Sequence, residues 1–462
     1  MVISTRYLCM HVLIFLFLSS LLVSANKLNV IVILTDDQGY GDLGCYGSQT
    51  IKTPHIDQMA AEGKKFTSFY VASSICTPSR AALLTGSYAK RTGLPGGVLF
   101  PHSTVGLNPE EYTLADHFSA NGYKTACIGK WHLGHHKEVL PTSNGFDYYF
   151  GIPYSNDMNH PKNEGKPQMG AQGMDKLWKD PESTVTVWNT PLMENEQIIE
   201  IPVDQRMITR RYTDKALEFI DESVQAEKPF FLYLPHSMPH IPIYVPDELR
   251  DADPKQAYRI VIEHIDAEVG RIMDRVRSTD LAKNTLVIYT SDNGPWLSYK
   301  HHGGSAKPLR DGKTTNFEGG QRVPCVMWAP GVIPAKSSSN EMLSTLDLLA
   351  SLAALTKTDL PKELVHDSLD ASEHIKGEGE SPRKEFIYYA KKLDAIGIRQ
   401  GDWKLLKTGK KNAKVSLFNL SKDISETTNL AQKHPEKVKN LTERLEQLDK
   451  EISDNRREAW KK

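Results

Sequence analysis

The chain has 462 residues, long enough to bury a large core and to divide into two or three domains. Lys and Arg number 56 against 57 Asp and Glu, so the composition points to neither a general polyanion binder nor a disordered acidic tail. Five cysteines (Cys9, Cys45, Cys76, Cys127 and Cys325) match neither a zinc knuckle nor a dense disulfide framework, and their spacing leaves one or two bridges open.

Residues 1–25 carry Arg6, an almost unbroken apolar run over 12–18 extended through 21–23, and small residues at Ser24 and Ala25. This pattern predicts a secretory signal peptide cleaved near Ala25, since the run is short for a bilayer span; an uncleaved anchor is the alternative. No second membrane-length run follows. The expectation is an exported, periplasmic or secreted protein with no stable membrane insertion.

Residues 29–35, N-V-I-V-I-L-T, form a continuous β-branched run that stops at Asp36-Asp37. Continuous hydrophobicity fits a strand covered on both faces, hence a mostly parallel sheet flanked by helices. Residues 124–128, 230–234 and 285–290 look alike and run into Gly129-Lys130-Trp131-His132, Pro235-His236-Ser237 and Ser291-Asp292-Asn293-Gly294. Ligand sites of open α/β sheets lie beyond the carboxyl ends of the strands, so these segments would meet at one rim.

Helical patterns cover 54–62, 114–120, 204–221 and 255–277, while the polar stretch 158–189 reads as a long surface insertion. Residues 356–384 are charged and broken by Pro361 and Pro382, which suggests a catalytic domain over 26–360 and a C-terminal α+β subdomain over 361–462. Within the latter, 386–389, 395–399, 403–407 and 415–419 read as short antiparallel strands, followed by a charged amphipathic helix over 436–457. No nucleic-acid motif appears.

Two acid clusters end buried strands: Asp36-Asp37 and Asp292-Asn293. Each alone suits a helix cap. Together they bring three carboxylates and one amide to equivalent strand ends, an all-oxygen set suited to Ca²⁺ or Mg²⁺. The segment 74–86 reads as a loop entering a helix, with Pro78 in the first turn and Gly86 at the stop, which leaves Cys76 at the helix N-terminus beside free N–H groups. A lone cysteine there is ordinarily a small buried apolar residue. Lys130, Lys307, Arg80, His132 and His236, taken singly, are ordinary surface cations and structural histidines.

Cys76-Thr77-Pro78-Ser79-Arg80 resembles the Cys-X-Pro-Ser-Arg signature of the type I, formylglycine-dependent sulfatase family, and residues 122–132, G-Y-K-T-A-C-I-G-K-W-H, are similar to its second signature. The similarity continues through 36–39, Gly151-Ile152-Pro153-Tyr154-Ser155, 291–294, 307–310, Glu318-Gly319-Gly320 and 322–324, in the family's order. Gly151 to Ser155 makes the chain resemble the arylsulfatase A-like branch.

The resemblance implies an alkaline-phosphatase-like fold with a smaller second domain. It implies one Ca²⁺ held by Asp36, Asp37, Asp292 and Asn293, with residue 76 also at the metal. Cys76 would become 3-oxoalanine (formylglycine) through a formylglycine-generating enzyme, and the aldehyde hydrate would attack the sulfur of a sulfate ester. Asp292 would assist deprotonation, and His132 would take the proton from the second hydroxyl so that sulfate is expelled. Arg80, Lys130 and Lys307 would surround the sulfate oxygens, and His236 would orient or protonate the leaving oxygen beside Lys307. Ser155 would steady the hydrate, and His240 would touch substrate, with His301 and His302 as further candidates to line the pocket. The expected substrate is a sulfated carbohydrate attacked at a chain end, galactose or N-acetylgalactosamine sulfate. The rival readings are a phosphatase or phosphodiesterase of the related alkaline-phosphatase-like superfamily and a silent binder of sulfated glycans.

Overall fold

The computed structural model describes residues 27–159, 170–180, 187–278, 280–409 and 414–462. The expected leader lies outside these residues. In chain order the elements are β1 (Asn29–Thr35), α1 (Pro54–Glu62), β2 (Lys64–Tyr70), α2 (Cys76–Thr85), β3 (Val105–Gly106), α3 (Leu114–Ala120), β4 (Lys124–Ile128) and β5 (Tyr148–Gly151). They continue with α4 (Gly170–Lys179), β6 (Leu192–Glu194), β7 (Gln197–Glu200), α5 (Ile208–Gln225), β8 (Phe230–Pro235), α6 (Ala257–Arg277) and β9 (Thr285–Ser291). Then come α7 (Glu318–Gln321), β10 (Arg322–Trp328), β11 (Ser337–Ser339), β12 (Leu343–Ser344), α8 (Leu348–Leu355) and α9 (Ser372–Lys376). The C-terminal part holds β13 (Glu385–Tyr389), β14 (Ala395–Gln400), β15 (Trp403–Thr408), β16 (Lys414–Asn419), α10 (Pro435–Asp454) and β17 (Trp460–Lys461).

The large sheet has the order β11-β2-β10-β9-β1-β8-β4-β5-β6-β7, with β12 beside β2. Its centre, β9-β1-β8-β4-β5, is parallel throughout. Every residue of β1 is buried. Ile31 and Ile33 enter a core shared with α1, α4, α5 and α6, whereas Val30, Val32 and Leu34 enter a second core shared with α2, α3 and α8. Alternate side chains of one strand therefore fill two apolar layers, which is why its sequence shows no polar alternation. The chain is thus a mostly parallel sheet flanked by helices, followed by a smaller antiparallel sheet, β13-β14-β15-β16. Leu441, Leu445 and Ile452 of α10 pack on that sheet through Phe386, Ile398, Leu405 and Leu417.

Several expected elements differ in extent. The 204–221 helix begins at Ile208, because Asp204 accepts from the backbone and guanidinium of Arg206 and holds a turn instead. The described part of the 158–189 insertion is not a bare loop: α4 buries Met174 and Trp178, one turn apart on one face. β2 and β10, too mixed in composition to read as buried strands, extend the sheet by antiparallel pairing. Cys45, Cys76, Cys127 and Cys325 are all unbridged. No helix among the described residues is long and apolar enough to cross a membrane.

Candidate active site

The carboxyl ends of β1, β4, β8 and β9 deliver the polar residues, and close backbone approaches hold those ends together. Gly129 has φ 139°, and a Cβ there would lie 1.9 Å from the carbonyl oxygen of Pro235, so the backbone of Lys130 can donate to that oxygen at 2.7 Å. Asp37 and His132 both adopt left-handed backbone, φ 65° and 61°, where the chain turns back from the sheet. α2 opens with Cys76 and is stopped by Gly86 at φ 60°. All ten of its residues are buried, which fixes Cys76 and Arg80 one turn apart under the strand ends.

Cys76 Sγ lies 3.6 Å from Asp36 Oδ1 and 3.5 Å from Lys313 Nζ. Lys313 Nζ also donates to Asp37 Oδ2 at 2.7 Å, and Asn293 Nδ2 donates to Asp37 Oδ1 at 2.7 Å. The backbone N–H of Asp37 donates to Asp292 Oδ1 at 3.1 Å. Arg80 donates through Nε to Asp292 Oδ2 at 2.9 Å and through Nη1 to the Lys130 carbonyl at 2.6 Å. Lys130 Nζ donates to Asp36 Oδ2 and, at 3.1 Å, to Ser155 Oγ. His240 Nε2 stands 3.6 Å from Asp37 Oδ2, and its Nδ1 donates to the Ile241 carbonyl at 2.6 Å. Trp296 faces both His240 and Lys313, with its ring centroid 4.4 Å from Lys313 Nζ.

Three carboxylates here balance three cationic side chains, and the cluster is wholly buried. Burial pushes Asp36 up, but Lys130, Arg80 and Lys313 outweigh it and hold the carboxyl at about 2. Burial and then the charge of Asp36 push Asp292 up to about 7. Asp37 is likewise raised, by burial foremost. Burial pushes the Cys76 thiol up to about 12 despite Lys130 and Lys313, so an unmodified Cys76 is a protonated thiol. His132, lowered by burial and by Lys130 and Arg80, is neutral. Its Nε2 donates to the Leu99 carbonyl at 3.0 Å, since a carbonyl only accepts, and this leaves Nδ1 as a buried lone pair with no hydrogen-bond partner.

The donor set fits a divalent cation. One ligand atom each of Asp36, Asp37, Cys76 and His240 lies within 4.8 Å of the others, and Asp292 and Asn293 join them through Asp37. Asn293 Oδ1 is a buried acceptor with no hydrogen-bond donor, which a cation would satisfy. Asp37 and Asp292, each raised in part by the charge of Asp36, call for the same neutralisation.

Two expected residues stand elsewhere. Lys307 is exposed, because its neighbours Ala306 and Leu309 turn inward against Tyr40 and Arg310 stacks on Phe317, with 3.8 Å between guanidinium carbon and ring centroid. The lysine in the cluster is Lys313, which the sequence reading passed over. Its only signal was its place in the Gly312-Lys313-Thr314 turn ahead of Glu318-Gly319-Gly320. His236 continues the strand, with its backbone N–H on the Leu34 carbonyl, and its ring turns toward Tyr212 of α5. Burial and His264 push it to about 3. Among the described residues no hydrogen bond or ion pair links it to the acidic cluster. The chain returns to the cluster four residues later, at His240.

A parallel sheet with its polar strand ends gathered over a buried cysteine, three cations and an acidic corner defines a hydrolase of anionic esters on an alkaline-phosphatase-like fold. The sulfatase family model matches residues 28–358, and the model for the C-terminal region of N-sulphoglucosamine sulphohydrolase matches 311–451. The chain belongs to the sulfatase family and is a sulfuric-ester hydrolase. Arylsulfatase G of Rattus norvegicus is 38% identical over 79% of this chain and 72% of its own length. Human arylsulfatase A is 37% identical over 82% of this chain and 75% of its own length. Among solved structures, Ps i-CgsB in complex with k-i-k-neocarrahexaose superposes with a TM-score of 0.78 at 28% identity, covering 92% of this chain and 93% of that one.

Proposed function

We propose that the chain is an exported sulfatase that removes sulfate from a carbohydrate chain end through a formylglycine made from Cys76. The observation that carries this reading is Cys76 itself, placed 3.5 Å from Lys313 and 3.6 Å from Asp36 in a cluster that keeps it a protonated thiol. As a cysteine it is a poor nucleophile. Conversion by a formylglycine-generating enzyme would supply an aldehyde whose hydrate carries the attacking oxygen.

Asp36, Asp37, Asp292 and Asn293 would hold the divalent cation, with residue 76 beside it. That ion, Ca²⁺ by the all-oxygen chemistry of the set, would polarise a sulfate oxygen and ease ionisation of a nearby hydroxyl. Lys130, Lys313 and Arg80 supply fixed positive charge for the sulfate oxygens. The side-chain charges already balance, so a bound cation leaves an excess that an anion neutralises. Asp292, whose Oδ1 and Oδ2 already accept from the Asp37 backbone and from Arg80, would assist deprotonation of the attacking hydroxyl. His240, with Nδ1–H held on the Ile241 carbonyl and a second proton on Nε2, would pass that Nε2 proton to the leaving oxygen in the role expected for His236, while Ser155 steadies the hydrate through Lys130. His132 Nδ1 accepts the proton of the second hydroxyl, since its Nε2 is committed to Leu99.

Three features support a sugar substrate. The leader-like residues 1–25 suit an exported enzyme. A hollow of about 570 Å³, lined by Ser74 and Ile75 just ahead of Cys76 in the chain and by Thr314, Lys391, Lys392 and Lys407, offers basic side chains to a polyanion. Ps i-CgsB, of like fold, holds a neocarrahexaose. A galactose or N-acetylgalactosamine sulfate and an arylsulfatase A-like ancestry remain the finer reading, the latter supported by Gly151 to Ser155. The test is sulfate release from a panel of defined sulfated mono- and oligosaccharides, with protein co-produced with a formylglycine-generating enzyme and Cys76→Ala as control. Release from one sugar position by the parent protein alone supports the reading. No release from the panel, with peptide mass showing the aldehyde, sinks the carbohydrate assignment.

A further inference from the structure

A second convergence of ligand-type side chains lies outside the cluster. Asp175, in the middle of α4, accepts on a single oxygen, Oδ1, from two adjacent histidines: His301 Nε2 at 2.7 Å and His302 Nε2 at 2.9 Å. The two imidazole centroids are 4.5 Å apart. One donor atom of each of the three residues lies within 4.8 Å of the others. The histidines end the short helical segment Leu297–His302, which begins one residue after Trp296 and so forms part of the cleft rim. Burial lowers His302, leaving a neutral imidazole able to offer a lone pair. Asp175, though burial works to raise it, is kept ionised by its two histidine hydrogen bonds.

Two imidazole nitrogens and one carboxylate oxygen make a set that differs in kind from the oxygen-rich corner. Ca²⁺ takes six to eight oxygens, whereas Zn²⁺ and its borderline neighbours favour about four ligands with nitrogen among them. Asp175 and His301 are each 28% exposed, which leaves room for a water as fourth ligand. We propose that Asp175, His301 and His302 form a transition-metal site of the zinc class, separate from the catalytic cation, that pins α4 to the rim of the cleft. α4 belongs to the inserted stretch 158–189 and is also held by buried Met174 and by Trp178, whose Nε1 donates to the Asp251 carbonyl at 2.8 Å and whose carbonyl accepts from Arg250 at 2.9 Å. A metal bridging Asp175 to two residues of the rim would add a tie about one turn ahead of Trp178.

The experiment titrates Zn²⁺ into the full chain carrying Cys76→Ala, in saturating Ca²⁺ so that neither the thiol nor the acidic corner competes. Calorimetry should give one Zn²⁺ per chain, and hydrogen exchange over 170–179 should slow when it binds. His301→Ala or Asp175→Asn should each weaken Zn²⁺ at least about tenfold, since even partners one shell out contribute that much. Asp175→Asn keeps the side chain's shape on a partly exposed helix face, so a folding failure of His301→Ala does not decide the matter. A parent protein that binds no Zn²⁺, or variants that bind it as the parent does, overturns the site and leaves a hydrogen-bonded triad. Zn²⁺ bound with unchanged exchange over 170–179 overturns the pinning.

Discussion

Two of the buried charge clusters among the described residues are built for opposite ends. At the strand ends, Asp36, Asp37 and Asp292 face Arg80, Lys130 and Lys313 around a cysteine. Between the two sheets, Glu318 and Glu426 face Lys404, Arg322 and Arg399 around two tyrosines. In the second cluster Glu318 is saturated. Oε1 accepts from Lys404 at 2.8 Å and Tyr388 at 3.2 Å, and Oε2 accepts from Tyr70 and, at 3.3 Å, Arg322. Its backbone N–H donates to Glu426 Oε2 at 2.6 Å, and Arg399 bonds Tyr70 and Ser68. The strand-end cluster instead leaves Asn293 Oδ1 and His132 Nδ1 without hydrogen bonds. Glu426 Oε1 of the second cluster also lacks a hydrogen bond, but Lys404 Nζ stands 2.9 Å away and meets its charge, whereas the acceptors left at the strand ends are ones a ligand would satisfy.

The contrast is broken most forcefully at its two centres. Cys76→Ala should lower sulfate release by about 10⁴-fold or more, as loss of a nucleophile does. It should shift unfolding free energy by less than about 1 kcal/mol, since no charge loses its partner. Glu318→Gln should do the reverse, costing about 3–5 kcal/mol by leaving buried Lys404 and Arg322 short of a counter-charge. Urea denaturation and sulfate assays on both variants test this; a Cys76→Ala protein that unfolds as readily as Glu318→Gln would erase the distinction.

The sequence reading reached these clusters unevenly, for physical reasons. β1 and β4 were legible to the residue, because strands buried on both faces are unbroken apolar runs that end where polar chemistry begins. Cys76 was marked by the Thr77-Pro78-Ser79-Arg80 run that follows it and by the family signature this run resembles. Lys307 and His236 were chosen because they stood beside recognisable runs, but which way a side chain points past a strand end is decided by neighbours. Leu309 and Ala306 turn inward and expose Lys307, and the strand carries His236 past the rim toward α5. Glu318 lay inside a matched run without any role attached, because its partners Lys404, Glu426 and Arg399 are 81 to 108 residues away in sequence. Only folding shows what it joins.

That correction is testable at the next level of effect. Lys313→Ala should reduce kcat about 10²–10³-fold, the usual cost of one fixed charge on the developing anion. Lys307→Ala should leave kcat and KM at parent values. Equal losses in the two variants, measured on the same sulfated sugar, would return Lys307 to the site.

The smallest effect sharpens how the interdomain cluster titrates. Burial would raise Glu318, but Lys404, Arg322 and Arg399 hold it at about 2, below its ordinary 4.5. Its contribution is therefore complete above pH 4.5 and is lost as pH falls through about 2. Glu426 is raised, by burial and by Glu318 despite Lys404, so its contribution is complete below pH 4.5 and is lost as pH climbs through the raised value. The pair consequently favours stability near pH 4.5, with a slope on either side of no more than about 1.4 kcal/mol per pH unit for one proton. Glu426→Gln should abolish the decline above pH 4.5 and keep the acid-side decline. Urea midpoints for parent and variant, taken as a difference from pH 3 to 7, cancel the other titrating groups. A difference that is flat above pH 4.5 would mean that Glu426 stays ionised, with Lys404 outweighing its burial.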